Sequence, residues 1–572
     1  MTGASFPAAA QGRRLPNLFD LAALLALFGF FAAFGGAARS SLAPLSALEV
    51  TTIHLDPGYL PYYALRTTLR MFAALLLSLL FTFTYAPIAA KSRRAGLVMI
   101  PVLDILQSVP ILGFLSFTVT AFMGMFPGRV LGAELASIFV IFTSQAWNMA
   151  FSFHQSLTTL PRDLTEACTS FRLSSWQRFW KLEVPFAMPG LVWNTMMSMS
   201  GGWFFVVASE AVSVGATTWK LPGIGSYVAV ALERRDLLAV FYAILTMLVV
   251  ILAYDQLLFR PLVAWSAKFR FETTARAEED DPWMLALLRR TAFLAWAIDQ
   301  VGDWFQWLSS RRLAFKIATP KFVMPEQVAD GIFGAALALT ILWAVQRIFV
   351  FVSASLTWHD LVIAVGLGVI TLVRVMVLIA LASMLWVPVG VWLGLRPNWA
   401  KRIQPVAQFL AAFPANLFFP VFVVVIVDFH LVPDIWLTPL MILGTQWYIL
   451  FNVIAGASAF PGDLLEVSKN FQVQGWLWWR RVILPGIFPY YITGALTASG
   501  GAWNAAIVAE VAQWGKTTLT AHGLGAYIAE ATTAGDIPRI VLGVVVMSMY
   551  VVVINRLLWR RLAAYSSRRL SF

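Results

Sequence analysis

Two stretches decide the reading of this chain: LPRDLTEACTSFRLSSWQRFWKLEVP at residues 160–185 and FPGDLLEVSKNFQVQGWLWWRRVILP at residues 460–485. They align without a gap at a constant offset of 300. Each opens with Pro and, two residues later, Asp (Pro161 and Asp163, Pro461 and Asp463), a helix-start signal. Each continues as a short amphipathic helix, breaks, and resumes around Trp176 or Trp476. The register extends outward from there. Glu166, Phe171, Pro185, Pro189, Trp203 and Glu210 recur as Glu466, Phe471, Pro485, Pro489, Trp503 and Glu510. Gly215, Thr217, Thr218, Gly223, Gly225 and Tyr227 recur as Gly515, Thr517, Thr518, Gly523, Gly525 and Tyr527. Upstream, Trp147 matches Trp447, and at an offset of 304 Arg70, Pro101 and Pro110 match Arg374, Pro405 and Pro414. Identity at fixed spacing is not composition bias, so the chain is written twice.

The material around these stretches is apolar. Of 572 residues, 59% are hydrophobic and 12% charged, with a mean hydropathy of +0.75. A soluble domain carries about a quarter charged residues, so an isolated soluble enzyme and a disordered chain are both excluded. Apolar runs long enough to span a bilayer recur at 17–38, 62–87, 97–122, 130–153, 187–211 and 237–259, then at 331–353, 362–394, 403–427, 433–456, 486–510 and 538–558. Arg13 and Arg14 precede the first run as in a signal peptide, but its length and the lack of a cleavage site predict a retained helix. The expected fold is all-α and integral to a membrane. About twelve helices form two six-helix units in the same orientation, as parallel repeats with a pathway at their interface. The first unit is 1–259 and the second 331–572.

The net charge of +12 follows from basic loops. With the N-terminus cytoplasmic, alternate loops inside the cell hold Lys91, Arg93 and Arg94; Arg162, Arg172, Arg178 and Lys181; Arg396, Lys401 and Arg402; Lys469, Arg480 and Arg481; and Arg560, Arg561, Arg568 and Arg569. The opposite loops hold only scattered ones such as Arg39, Arg129, Lys220 and Lys516. That asymmetry predicts both termini cytoplasmic, and it needs no nucleic acid to explain the charge. The single cysteine, Cys168, excludes an internal disulfide.

Residues 260–330 join the halves and include the acidic run Glu278, Glu279, Asp280 and Asp281. Within them Trp283, Leu287, Leu294, Ile298, Val301, Phe305 and Leu308 recur at helical steps, one apolar face of an amphipathic helix. Arg289, Arg290, Arg311 and Arg312 suit lipid headgroups. The expectation is a linker on the membrane surface, with a regulatory or docking element as the alternative.

The repeated segment resembles the EAA loop of ABC importer permeases, the membrane subunits of binding-protein-dependent transporters. Glu166 to Pro185 and Glu466 to Pro485 share the family's spacing of nineteen residues. Ala167 and Cys168, or Val467 and Ser468, stand for the paired alanines, and Val184 for the leucine of Leu-Pro in the first copy. Arg172 and Gln472 replace the loop's glycine, which normally permits a left-handed turn, so the turn is where coupling geometry is expected to depart. Trp203 through Glu210 and Trp503 through Glu510, followed by GIGSY or GLGAY, are similar to the nitrate/sulfonate/taurine branch. Fusion of two permease units in one chain is the less usual arrangement.

The resemblance implies alternating access in a cell inner membrane. A cytoplasmic ATPase dimer, carrying ATP and Mg, grips the two loops, and an extracytoplasmic solute-binding protein delivers a small anion such as nitrate, a sulfonate or bicarbonate. The residues it places in coupling are Asp163, Glu166, Ala167, Phe171, Arg172, Trp176 and Pro185, with Asp463, Glu466, Phe471, Gln472, Trp476 and Pro485. Phe171, Trp176 and Trp180, or Phe471, Trp476 and Trp479, are expected to stiffen each loop by packing; the alternative is that they seat it at the membrane interface.

The chain carries no chemistry of its own that its motifs reveal. It lacks a phosphate loop, a HExxH and a nucleophile elbow, and its five histidines have no metal-binding spacing. Charges inside spans point to function by default. Arg70 and Arg374 suit either an anion or a carboxylate partner; Glu210 and Glu510 suit helix pairing or substrate. Trp203, Trp503 and Asn504 are candidates for the pathway, against helix packing beside Gly201-Gly202 and Gly500-Gly501. Pro110 and Pro414 are expected to break their spans at a cavity or as ordinary kinks. An ion-gradient transporter would need a mid-span relay and no ATPase; a scaffold would dock the ATPase without transport. The duplicated loop argues against the first of these.

Overall fold

A computed structural model describes residues 53–108, 111–214, 217–269, 291–311, 326–458, 460, 462–514 and 517–569, besides isolated positions at 29, 35, 36, 43, 44 and 284. The chain divides into two compact units. One holds residues 1–40, 152–196 and 252–322, the other 41–151, 197–251 and 323–572.

Seven helices among the described residues are long and apolar enough to cross a bilayer: Pro57–Lys91, Val130–Thr158, Leu237–Ser266, Asp330–Ser353, Trp358–Gly394, Gly475–Ala509 and Ile537–Ser566. Two bent pairs, Val406–Ala412 with Ala415–Asp428 (74°) and Pro433–Leu443 with Gln446–Ser458 (43°), raise the number to nine if each is one span. This is fewer than the twelve expected, for reasons that differ by span. Run 17–38 lies almost wholly outside the described residues. Run 97–122 is divided between Arg93–Ser108 and a segment restarting at Ile111. Run 187–211 forms helix Val184–Glu210, whose Asn194, Ser198, Ser200 and Gly201-Gly202 dilute its apolar character. Apolar runs count side chains and are blind to bends.

In the larger unit small residues let the helices approach closely. A Cβ added at Gly390 would collide with Val453, and one at Gly394 with Ala457 and the Ile454 carbonyl, so helix Trp358–Gly394 seats directly on helix Gln446–Ser458. This is the small-residue seam through which membrane helices gain dispersion contact, since lipid supplies no hydrophobic drive between them. Trp503, 1% exposed, stacks on Tyr550 at 6.2 Å in the same core.

Two short hairpins were not foreseen. Ala211–Val214 pairs antiparallel with Thr217–Lys220, and Val511–Trp514 with Thr517–Thr520, each straight after a long helix. Their signal was present: β-branched residues flank a two-residue gap containing Gly215 or Gly515.

In the smaller unit the linker contributes helix Ala292–Ser310. Of its expected apolar face, Trp283 and Leu287 lie outside the described residues, as do the side chains of Leu294 and Ile298. Phe305 meets Trp180 edge-on at 4.9 Å, whereas Val301 is 64% exposed.

Candidate functional site

The two loops are built alike. Helix Arg162–Ser170 starts at Pro161, with Asp163 in its first turn, where a carboxylate favours the positive end of the helix dipole. It ends in a Schellman motif: the Leu173 N–H donates to the Cys168 carbonyl (3.1 Å) and the Arg172 N–H to the Thr169 carbonyl (2.9 Å). Helix Gly462–Asn470 ends identically, with Val473 donating to Ser468 and Gln472 to Lys469. Arg172 and Gln472 therefore occupy the left-handed position, at φ of 50° and 53°. The expected departure at the missing glycine does not occur. Six-to-one and five-to-two hydrogen bonds hold the turn, and a side chain is accepted there at about 1–2 kcal/mol of backbone cost.

The sequence suggests that the resumed helix stops near Pro185 or Pro489; after the turn it instead runs through both. Ser174 caps Ser175–Arg178 through a capping box with Gln177, and the helix continues through a π-helical turn, Phe179–Glu183, into Val184–Glu210. The second copy repeats this from Gly475–Trp478 through Trp479–Ile483 into Leu484–Ala509. Each loop is thus one rigid arm with a short helix folded back at its tip. Pro185 and Pro485 are half-buried on that arm, each just after the π-helical turn, where the regular hydrogen-bond ladder is already interrupted and a residue without an N–H is tolerated.

The tips are open. Glu166, Ala167 and Arg172 are exposed in one copy, Glu466 and Gln472 in the other. Phe171 and Phe471 were expected to pack; they are 77% and 78% exposed, because each follows the last helical residue and points off the helix end. Trp176 is half-buried and Trp476 73% exposed. The Asp463 side chain lies outside the described residues. Each tip thus carries an exposed phenylalanine and an exposed glutamate on the same short segment.

At the other end of each arm lies a second duplicated constellation. Glu210 takes Arg70 Nη1 at 2.7 Å, the Thr67 hydroxyl at 2.7 Å and the Gly225 N–H at 2.7 Å. Arg70 Nε also meets Glu134 at 2.6 Å, and Arg66 pairs with the same carboxylate. Side chains in this cluster are at most 5% exposed. In the second copy Arg374 meets Glu510 at 3.4 Å and Asp434 at 2.9 Å, and Thr371 donates to Glu510 at 3.0 Å. His522 joins through its N–H and ring, both on Asp434, and this cluster is wetter: the Asp434 side chain is 38% exposed.

Buried charges persist where partners and hydrogen bonds compensate desolvation. The four residues of the notable pairs, Arg70 and Glu210, Arg374 and Glu510, were expected as candidates; the geometry brings each pair together and occupies it internally. Glu134, Asp434, Arg66, Thr67 and Thr371 were missed. The signal for two of them was an acidic residue inside an apolar run at the common offset of 300.

The glycines of GIGSY and GLGAY belong to this site. A Cβ at Gly223 would overlap the Glu210 carboxylate, one at Gly523 the Glu510 carboxylate, and one at Gly225 the Val207 carbonyl. Gly223→Ala is therefore expected to cost about 1–3 kcal/mol, as overpacking does in a rigid interior. A thermal melt of the detergent-solubilised variant against wild type checks it; an unchanged midpoint would show the carboxylate free to move.

Within the larger unit the two repeats meet. The Ile111 N–H donates to Asn504 Oδ1 at 2.6 Å, and Asn416 Nδ2 donates to the Phe204 carbonyl at 3.2 Å. Each contact joins a broken segment of one repeat to the long helix of the other. Pro414 is buried and opens the 3₁₀ turn Ala415–Leu417 at the 74° bend, so it does break its span. Pro110, its counterpart, lies outside the described residues. Trp203 and Trp503 are both 1% exposed and enclosed by helix packing. Among the described residues no cluster of His, Cys, Asp or Glu suits a metal ion.

Comparison with known proteins agrees with the duplication. The family model described as binding-protein-dependent transport system inner membrane component matches residues 79–259 and again 386–571. The chain is similar to the bicarbonate transport system permease protein CmpB of Synechocystis sp. (26% identity; 29% of this chain, 56% of the relative). It is also similar to the nitrate import permease protein NrtB of Leptolyngbya laminosa (23%; 33% and 63%) and to the glycine betaine/carnitine transport permease protein GbuB of Listeria monocytogenes (30%; 29% and 54%). The matches span less than two thirds of each of these relatives. The chain belongs to the family of binding-protein-dependent transport system inner membrane components and carries that domain twice, in a predominantly helical membrane fold.

Proposed function

We propose that this chain forms the whole membrane pathway of an ATP-driven importer. Residues 1–259 and 331–572 act as its two permease units, joined by the 260–330 linker, with both termini cytoplasmic. The observation that carries the reading is the pair of exposed tips on rigid arms, identical in turn geometry although their sequences differ. A separate ATPase dimer with ATP and Mg grips those tips through Glu166, Glu466, Phe171 and Phe471. Because each arm is continuous with a long helix, a push at the tip is delivered to the crossing contacts at Asn504 and Phe204. The end bearing the Glu210 and Glu510 clusters faces outward, toward a solute-binding protein, and the ion pairs brace it.

The substrate is a small anion of the nitrate, sulfonate or bicarbonate type; the names of the bicarbonate and nitrate relatives support that class. The test is uptake into vesicles that contain the chain, its cognate ATPase and its binding protein. Labelled nitrate, bicarbonate and taurine are expected to accumulate only with ATP, at least one of them with saturable affinity. Accumulation of betaine in preference to every anion would overturn the substrate class. Uptake at full rate without the ATPase would overturn the importer.

A further inference from the structure

The two arms are not equally free, and the difference lies in the linker. Helix Ala292–Ser310 ends with carbonyls that have no partner within the helix, as every helix does. Two of them are taken by the first arm. Trp176 Nε1 donates at 2.9 Å to the Leu308 carbonyl, which also accepts the Arg311 N–H at 3.3 Å, and Gln177 Nε2 donates to the Ser310 carbonyl at 2.8 Å. One turn further, Trp180 stands edge-on to Phe305 at 4.9 Å and to Trp176 at 5.6 Å, closing an aromatic cluster over the joint. Gln177 is 7% exposed and uses both ends of its amide, since its oxygen also accepts the Ser174 N–H in the capping box.

The second arm has a different complement at the matching positions. Leu477 stands where Gln177 does and is 54% exposed; Arg480 stands where Trp180 does and is exposed. Trp476, the counterpart of Trp176, is 73% exposed. Of the three first-arm side chains that touch the linker helix, Trp176 is kept in the second arm, while Gln177 and Trp180 are replaced by Leu477 and Arg480.

We infer that helix Ala292–Ser310 is an internal clamp on the first arm, with Trp176 and Gln177 as positioning residues that set how far that arm yields when its tip is pushed. The inference rests on the importer reading for its consequence, but not for its geometry. A clamped arm moves with the linker as one body, while the second arm moves alone, so one ATPase cycle acts on two inequivalent levers. The linker is then part of the transmission rather than a tether between two permease units.

The test uses the full chain with its cognate ATPase and binding protein in lipid nanodiscs or vesicles, and the double variant Trp176→Phe with Gln177→Glu. The phenyl ring keeps the apolar contact without a donor. Glutamate keeps the capping-box acceptor but turns a carboxylate oxygen on the Ser310 carbonyl. Amide exchange over residues 303–310 is expected to accelerate on the order of tenfold, the effect of losing two hydrogen bonds, whereas Trp476→Phe leaves that segment unchanged. Solute moved per ATP hydrolysed is expected to fall severalfold with the ATPase still bound. Unchanged exchange at 303–310 in the double variant would remove the clamp. Faster exchange with an unchanged ratio of solute to ATP would reduce the helix to a passive tether and overturn the positioning role. Failure of any ATPase to bind the wild-type chain would defeat the importer reading instead, and the exchange measurement would still decide the clamp.

Discussion

Glu210→Ala is expected to destabilise the permease by about 3–5 kcal/mol, the range for removing one partner of a buried, hydrogen-bonded charge pair. Three donors lose their acceptor at once: Arg70 Nη1, the Thr67 hydroxyl and the Gly225 N–H. Arg70 keeps Glu134 and, through Nη1, the Pro222 carbonyl at 3.0 Å, but the Glu210 side chain is completely enclosed. The matching Glu510→Ala is expected to cost less. Its guanidinium contact is longer, at 3.4 Å, and Arg374 retains an Asp434 that is already open to solvent. Thermal or denaturant unfolding in detergent of the two single variants provides the comparison. Equal losses would mean that exposure of the second cluster is unimportant. The double variant should come close to the sum, since the two clusters share no residue.

Reversing charge at both tips, Glu166→Lys with Glu466→Lys, is expected to lower affinity for the ATPase by roughly a hundredfold or more and to abolish uptake, because like charges set against each other at an interface cost several kcal/mol. Both carboxylates are exposed on short helices, so the fold has no stake in them. One reversal alone should leave partial docking, since the second tip still holds a bivalent partner at high local concentration. Co-purification of the ATPase with each variant, alongside vesicle uptake, measures both. Full docking and uptake in the double variant would remove the tips from coupling.

Much of this protein was legible in one dimension. The offset of 300 located both arms with Glu210 and Glu510, and the offset of 304 located Arg70 and Arg374. Where reading failed, the cause was usually a helix end. Phe171 and Phe471 have the spacing of packed residues, yet each sits one place beyond the last helical turn and faces water. Arg172 and Gln472 argued for an altered turn, and backbone hydrogen bonding kept the ordinary one. Apolar runs located both bent pairs as single spans, 403–427 and 433–456, because hydropathy sums side chains along a line and takes no account of the bends at 74° and 43°.

Membrane residence and duplication are properties of residue type and spacing, and the chain declares them without folding. The ion clusters are another matter. Arg70 finds Glu134 across 64 positions and Glu210 across 140, and Trp176 finds Leu308 across 132. Each arm offers several donors, and each span or linker several acceptors, so nothing local selects the partner. Only the assembly of helices, set by where small residues let backbones touch, decides which charge is enclosed with which and which arm the linker holds.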